Sequence, residues 1–438
     1  MRAFLTFTAA TAAVLALQGC SKAEDENAEA LHPIARDYVL LQLTIGEKED
    51  GYIDAYYGPE ELQAQATSDA AELSLDDLSD RVSAIQGQLE PFVDDGEDGD
   101  TMQERRARFL FAQMTAAQTR LKMLSGENVT FVEEAKGLFG VEVELVDLDT
   151  IDPIIAQIDD LLPGEGPLWQ RLEEYRSDFV IPENKLQPVM DAAIAECRSR
   201  TAEFIDLPEG ESFTLELVSD KPWGGYNYYQ GGFQSKIEVN TDSPARLSRA
   251  VDLGCHEGYP GHHVLHSRHE QELVNKRGWL EFSIVPLFSP QAVIAEGSAN
   301  YGIELAFPGE QQLAFDTDVI APIAGISADG LADYANLSKL TSQLSSARYT
   351  ISARYLDGEI GADDAALLLQ KYQLSSPDSA RQSLRFIDTY RSYIINYGLG
   401  LDLVRASVEA AGDDQDARWA RMIEILSEPT LPSDLKVG

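Results

Sequence analysis

Five of the six histidines in this chain, His256, His262, His263, His266 and His269, fall within one stretch of fourteen residues. Neutral imidazole is the commonest metal ligand, and a His-Glu pair with a second His further along the helix is the pattern of a zinc hydrolase. The stretch begins Cys255-His256-Glu257-Gly258-Tyr259-Pro260-Gly261-His262-His263-Val264-Leu265-His266. A catalytic zinc takes three protein ligands and keeps one position open for water, and two His with one Glu is a known set. The expected third ligand is Glu296, in Ala295-Glu296-Gly297-Ser298-Ala299-Asn300-Tyr301-Gly302, downstream of the apolar, Pro-bounded segment from Ile284 to Pro290. Gly297, Ser298 and Ala299 would let a second helix approach closely. The plain alternatives are a solvated, His-rich helix and an ordinary water-facing carboxylate at Glu296.

Spacing complicates the simplest arrangement. Residues four apart on a helix lie about 40° apart and can share an ion, but His262 is six residues after His256, about 240° round an unbroken helix. His263 returns to the right face, yet roughly 10 Å along the axis. Pro260 removes a backbone donor and Gly261 tolerates unusual dihedrals, so a local bulge is expected that absorbs the extra residues and re-aims one imidazole. On spacing alone, either His262 or His263 could be the second ligand.

His-Glu-x-x-Pro-Gly-His-His followed by Glu-Gly-x-Ala-x-Tyr resembles the bacterial proteins grouped as domain of unknown function 885, relatives of the gluzincin-like zinc metallopeptidases. The similarity runs from Asp37 to about Arg405 and includes Tyr52-Ile53-Asp54-Ala55-Tyr56-Tyr57-Gly58-Pro59, Val239-Asn240-Thr241 and Tyr397-Gly398-Leu399-Gly400. Thimet-type oligopeptidases are similar at Gly-His-x-x-His, and matching that to Gly261 through His266 implies His262 as ligand. The resemblance also implies Tyr397 as a group that binds substrate or steadies an oxyanion. Two family segments are missing: an Asp-x-Gly-x-His after an Arg, where this chain has Ser352-Ala353-Arg354-Tyr355-Leu356, and a Pro-Gly-Gln near Tyr390-Arg391-Ser392.

The elements that must position these groups read as helices over most of the chain. Apolar spacing of three and four recurs in Ile34-Tyr38-Leu41-Ile45 and in Leu110-Met114-Ala117-Leu121-Leu124. Further helices are expected over Leu331 to Leu356, Asp363 to Tyr372, Asp378 to Tyr397 and Asp414 to Leu426. Arg348, Arg354, Tyr390, Arg391 and Tyr393 lie on them beside Tyr397 as candidate substrate groups. Phe213 to Val218 and Gln234 to Asn240 alternate like strands on either side of the aromatic, Gly-rich stretch Trp223 to Phe233. In gluzincin-like enzymes an edge strand here takes extended peptide by strand addition; the other reading is a hairpin with aromatics in the core. The Asp94 to Asp100 run lacks the Glu that closes an EF-hand loop and reads as a solvated connection.

The fold class expected is therefore mainly α, a two-lobed multi-helix fold with a small β-sheet next to the metal-binding helix. Residues 1–20 resemble a lipoprotein signal: Arg2, an apolar run from Ala3 to Leu17, then Leu17-Gln18-Gly19-Cys20. Residues 21–30 form a polar tether, and 31–430 a metallohydrolase domain with a helical lobe at about 31–206, a sheet at 212–240, metal-site helices at 243–306 and C-terminal helices at 310–428. Ser21 after the acylated Cys20 points to the outer membrane, facing the periplasm. With 74 acidic against 34 basic residues the formal charge is −40, which argues against nucleic acid or anionic headgroups as partners. Any membrane contact would run through the anchor on Cys20. Cys197 and Cys255 remain; they could bridge in an oxidising compartment, but the reading adopted is two separately buried, small apolar side chains.

Together these residues point to a hydrolase with one zinc held by His256, His262 and Glu296, and with Glu257 as general base. A peptide or small amide is the expected substrate. A non-catalytic protein with a structural zinc would instead need a fourth protein ligand, for which His263 or His266 is available.

Overall fold

The computed structural model describes residues 29–93, 101–221 and 223–436, so the lipoprotein-like segment, most of the tether and the Asp94 to Asp100 run lie outside the described residues. The architecture is mainly α with two small sheets. Some of the helices begin where short polar side chains satisfy free backbone N–H groups. Ser74 with Asp77, Thr101 with Glu104 and Thr130 with Glu133 form reciprocal caps for the helices Leu75–Leu89, Met102–Leu124 and Phe131–Phe139.

Strand β1 (Ile53–Tyr56) carries the tyrosine-rich motif, and β2 (Ser212–Val218), β3 (Gly225–Gly231) and β4 (Gln234–Asn240) form a sheet in the order β2-β4-β3. The β2 and β4 strands run parallel, while β3 and β4 make an antiparallel hairpin. The aromatic, Gly-rich stretch is thus itself a strand, with Tyr229 buried as in the hairpin reading. The short β5 (Ile284–Pro286) pairs antiparallel with β1, register Ala55 to Val285.

Two large apolar cores form among the described residues, beside two small clusters, and the chain crosses between the large ones. One gathers residues from 31–172, 284–293 and 337–395; the other gathers 179–265, 294–334 and 404–435. The helix Pro290–Ala306 gives Ala292 and Val293 to the first and Ile294, Tyr301 and Leu305 to the second. The helix Ile395–Glu409 does the same with Ile395 against Val404 and Val408. These two helices pack at glycines: a Cβ on Gly297 would lie 2.4 Å from the carbonyl oxygen of Gly400, so neither position has room for a side chain. The close approach expected from the small residues beside Glu296 is present, and it lies on the seam between the cores.

The expected helix from Asp378 to Tyr397 is broken in two. Pro377–Tyr390 ends at Arg391, which has a positive φ of 52°, and a tight turn Arg391–Ile394 leads into the next helix. Buried Glu134 holds the break, accepting hydrogen bonds from Ser392 N (3.0 Å), Ser392 Oγ (2.7 Å) and Arg391 Nε (2.6 Å). Helical periodicity could not show this, because the partner lies far back in the chain.

The helix Met102–Leu124 is tied to the segment before β5 by a fully buried ion pair, Arg106 Nε to Glu281 Oε1 (2.5 Å) and Arg106 Nη2 to Glu281 Oε2 (3.0 Å), with the guanidinium over Trp279. Removing one partner strands the other charge away from water. Glu281→Ala is expected to cost about 3–5 kcal/mol in chemical denaturation; a loss below about 1 kcal/mol, the range of exposed pairs, would contradict this burial.

Candidate metal centre

The His-rich stretch is not one helix. The helix Leu247–Leu253 widens into a π-helical turn, Gly254–Gly258, in which Tyr259 N–H donates five residues back to the Gly254 carbonyl (3.3 Å). A cis peptide joins Tyr259 to Pro260, Gly261 N–H donates to the Cys255 carbonyl (3.0 Å), and a new helix runs over His262–Arg268. Gly261 passes so close to the turn that a Cβ would lie 1.7 Å from the His256 carbonyl oxygen. This is the bulge that the spacing requires. It brings the Nε2 atoms of His256 and His262 to 3.1 Å from each other.

His263 faces the other way and has both ring nitrogens engaged, Nδ1 with Ser235 Oγ (2.8 Å) and Nε2 with Glu211 Oε2 (3.0 Å). Glu211 is held in turn by Tyr259 and Arg198. His266 lines the cleft beside His262, with its buried Nδ1 unpartnered. His269 lies against Gln291 and Phe282.

From the seam helix, Glu296 places Oε2 at 3.3 Å from His256 Nε2 and 3.9 Å from His262 Nε2. Its other oxygen accepts from the Tyr393 hydroxyl (2.8 Å), whereas buried Oε2 has no hydrogen-bond partner. Asn300, one turn on, meets His256 Nδ1 through Oδ1 (3.1 Å) and donates from Nδ2 to the Tyr397 carbonyl (3.2 Å). If that ring donates from Nδ1, its Nε2 lone pair faces Glu296 and His262. Ligands of a tetrahedral zinc, about 2.0 Å from the ion, are about 3.3 Å from one another. The triangle of 3.1, 3.3 and 3.9 Å with an orphaned carboxylate oxygen fits such an ion.

Glu257 joins the cluster, with potential ligand atoms of His256, Glu257 and His262 within 4.8 Å of one another. Either carboxylate could therefore be a third ligand by proximity. Glu296 is favoured because its free oxygen closes the triangle, while Glu257 sits across from Gly225 of β3, whose missing Cβ leaves it space. Burial pushes Glu257 up to about 7, against the pull of His256 and with a push from Glu296. Burial would depress His256, but the neighbouring carboxylates of Glu296 and Glu257 raise it to about 9. Burial, together with the charge on His256, holds His262 down at about 4.

The cluster opens onto a cleft of about 450 Å³ walled by β3, by the metal segment and by the C-terminal helices. Tyr397, Tyr393, Tyr390 and Arg348 line it; Arg354, near Glu359, and Arg391, on Glu134, do not. Sequence reasoning assigned no role to Asp54 or Asn300, although both lie in segments it singled out. Burial, then Glu296 and Glu257, raise Asp54 to about 7, and it accepts a hydrogen bond from the Tyr226 hydroxyl. Asn300 is four residues after Glu296, so the helical spacing carried a signal for it.

Cys197 and Cys255 form a disulfide, a correction to the expected separate thiols. The helix Glu183–Ala202 packs directly on the π turn, bringing the two Cα atoms to 5.4 Å. The bridge therefore anchors the residue immediately before His256.

No protein-family model matches the chain, and no curated protein sequence does. Among solved structures it is similar to one described as "the putative lipoprotein from Colwellia psychrerythraea", at 13% identity over 86% of this chain and 75% of that one, with a TM-score of 0.52. That is a likeness of fold. Weaker likenesses are to the M32 carboxypeptidase from Deinococcus radiodurans R1 (12% identity, 92% and 90% covered, TM-score 0.45) and to Trypanosoma cruzi metallocarboxypeptidase 1 (14%, 92% and 90%, 0.44).

Proposed function

We propose that this chain is a zinc-dependent hydrolase that cleaves peptide bonds, with His256, His262 and Glu296 as ligands and Glu257 as general base. The observation that carries the reading is the buried, unpartnered Oε2 of Glu296 facing two imidazole nitrogens at ligand spacing. The sequence resemblance to the domain of unknown function 885 proteins supports it from the motif side. A bound zinc would supply Lewis-acid polarisation of the scissile carbonyl and a water acidified to a pKa of about 7.

The protein's own groups account for the rest. Glu257 accepts the proton of the attacking water on a carboxylate oxygen and delivers it to the leaving nitrogen. Asn300 orients His256, and Tyr393 fixes Glu296 through Oε1, leaving Oε2 for the ion. Tyr397 stays protonated, because burial and the charges of Glu296 and Glu257 raise its pKa well above the usual value, so its hydroxyl can donate to a developing oxyanion. The test is incubation of the zinc-loaded mature protein with a diverse peptide library, read by mass spectrometry. Cleavage that stops on chelation and returns with zinc is expected; intact peptides under all conditions would refute peptidase action and leave non-peptide amides and esters.

The site of action in this reading is the cell envelope, with the chain anchored by acylated Cys20 and facing the periplasm. Among the described residues no helix is long and apolar enough to cross a membrane. The bridge between Cys197 and Cys255 suits an oxidising compartment. Cys20→Ser is expected to move the protein from the membrane to the soluble fraction; unchanged fractionation would contradict the anchor.

A further inference from the structure

The cleft is an acidic place. Asp54, Asp252, Glu257 and Glu296 all line it, in a chain with more than twice as many acids as bases. Two arginines share the lining. Arg249 is spoken for by an ion pair with Asp252. Arg348, on the helix Ser345–Leu356, has no carboxylate within ion-pair distance among the described residues, and its buried Nε has no hydrogen-bond partner. Its guanidinium lies over the Phe386 ring, 5.4 Å from the centroid, a contact that positions the charge without neutralising it. Gln382 and Ser383, which also line this wall, are neutral.

A guanidinium drawn partly out of water and left without an anion is costly, and buried charges are as a rule paired. Its planar fork matches one anion well, a carboxylate held through two parallel N–H bonds. The direction of the site follows from Tyr397. Its ring lies 6.4 Å from the Phe386 ring under Arg348 and 5.9 Å from the ring of Tyr393, whose hydroxyl meets Glu296, so it stands between the cation and the metal cluster.

Resting on the hydrolase reading above, we propose that Arg348 receives a carboxylate of the substrate, fixing the chain so that its scissile carbonyl lies toward Glu257 and Glu296. The carboxylate has two sources, the C-terminus of a peptide or an acidic side chain. The surrounding acids repel further negative charge, so the preferred substrate carries one such group at that end.

The test is calorimetric binding to zinc-loaded protein carrying Glu257→Gln, which keeps the peptide intact. Three N-acetylated tripeptides are compared: a neutral one with a free C-terminus, its C-terminal amide, and an amidated one containing Glu. A hydrogen bond to a charged group is worth a factor of about 10 to 150, so the free acid is expected to bind at least about tenfold more tightly than its amide. Arg348→Gln should abolish that preference, and Arg348→Lys should restore part of it. Equal tightness of the amidated Glu peptide and the free acid, lost together in Arg348→Gln, assigns the carboxylate to a side chain. Equal binding of acid and neutral amide, a preference that survives Arg348→Gln, or no binding of any carboxylate peptide overturns the proposal. The acid-amide comparison needs no change at Arg348 and so stands even if the variants fold poorly. A preference for the free acid in a protein whose wild type cleaves no peptide removes the peptidase reading and leaves Arg348 in place; cleavage without that preference does the reverse.

Discussion

Glu257→Gln is expected to lower turnover by a factor on the order of 10² to 10⁴ while metal content and thermal stability stay near wild type. The amide keeps the shape of the carboxylate and loses its basicity. Glu257 is almost fully buried, and burial already raises its pKa to about 7, so replacing it with a neutral isostere removes a charge that the fold does not favour. The fold should therefore tolerate the change. A structural zinc site would respond differently, with Glu257→Gln nearly silent and every ligand change destabilising the protein. Full activity in this variant, on a peptide that wild type cleaves, would exclude Glu257 as the base.

His256→Ala is expected to reduce zinc from about one per chain to none retained after dialysis, because two protein ligands do not make a tight catalytic site. The change also removes the imidazole nearest Oε2 of Glu296 and deprives Asn300 Oδ1 of its partner. Asn300→Ala should have a milder effect, about 10- to 100-fold in zinc affinity, since it only orients the imidazole. Metal analysis by mass spectrometry reads both. Stoichiometric zinc in His256→Ala would show that the ion is held elsewhere.

The local geometry of the His-rich stretch could be read from residue spacing, and its tertiary partners could not. The distance from His256 to His262 demands a break, and Pro260-Gly261 marks where it must be; the π turn and cis peptide are the form it takes. Gly297 foretold close helix packing, which the approach to Gly400 bears out. Helical periodicity located most of the helices. It could not show that Glu134 interrupts the helix after Tyr390, and so sets Tyr393 on Glu296, because that depends on a contact across more than 250 residues. The interleaved cores, the pairing of β1 with β5 that brings Asp54 to the cleft, and the Cys197 to Cys255 bridge are likewise consequences of topology. Cysteine identity alone favoured separate thiols over the bridge, since a buried thiol and a half-cystine look the same in sequence.

X-ray absorption at the zinc edge of the mature protein is the most direct measurement, because it counts the ligands without relying on activity. Two imidazole nitrogens and oxygen neighbours at about 2.0–2.2 Å are expected, with an oxygen signal that changes when a peptide analogue displaces water. His266→Ala should leave that spectrum untouched. Three imidazoles in the wild-type spectrum, one of them lost in His266→Ala, would mean a closed, four-ligand structural site and contradict the hydrolase.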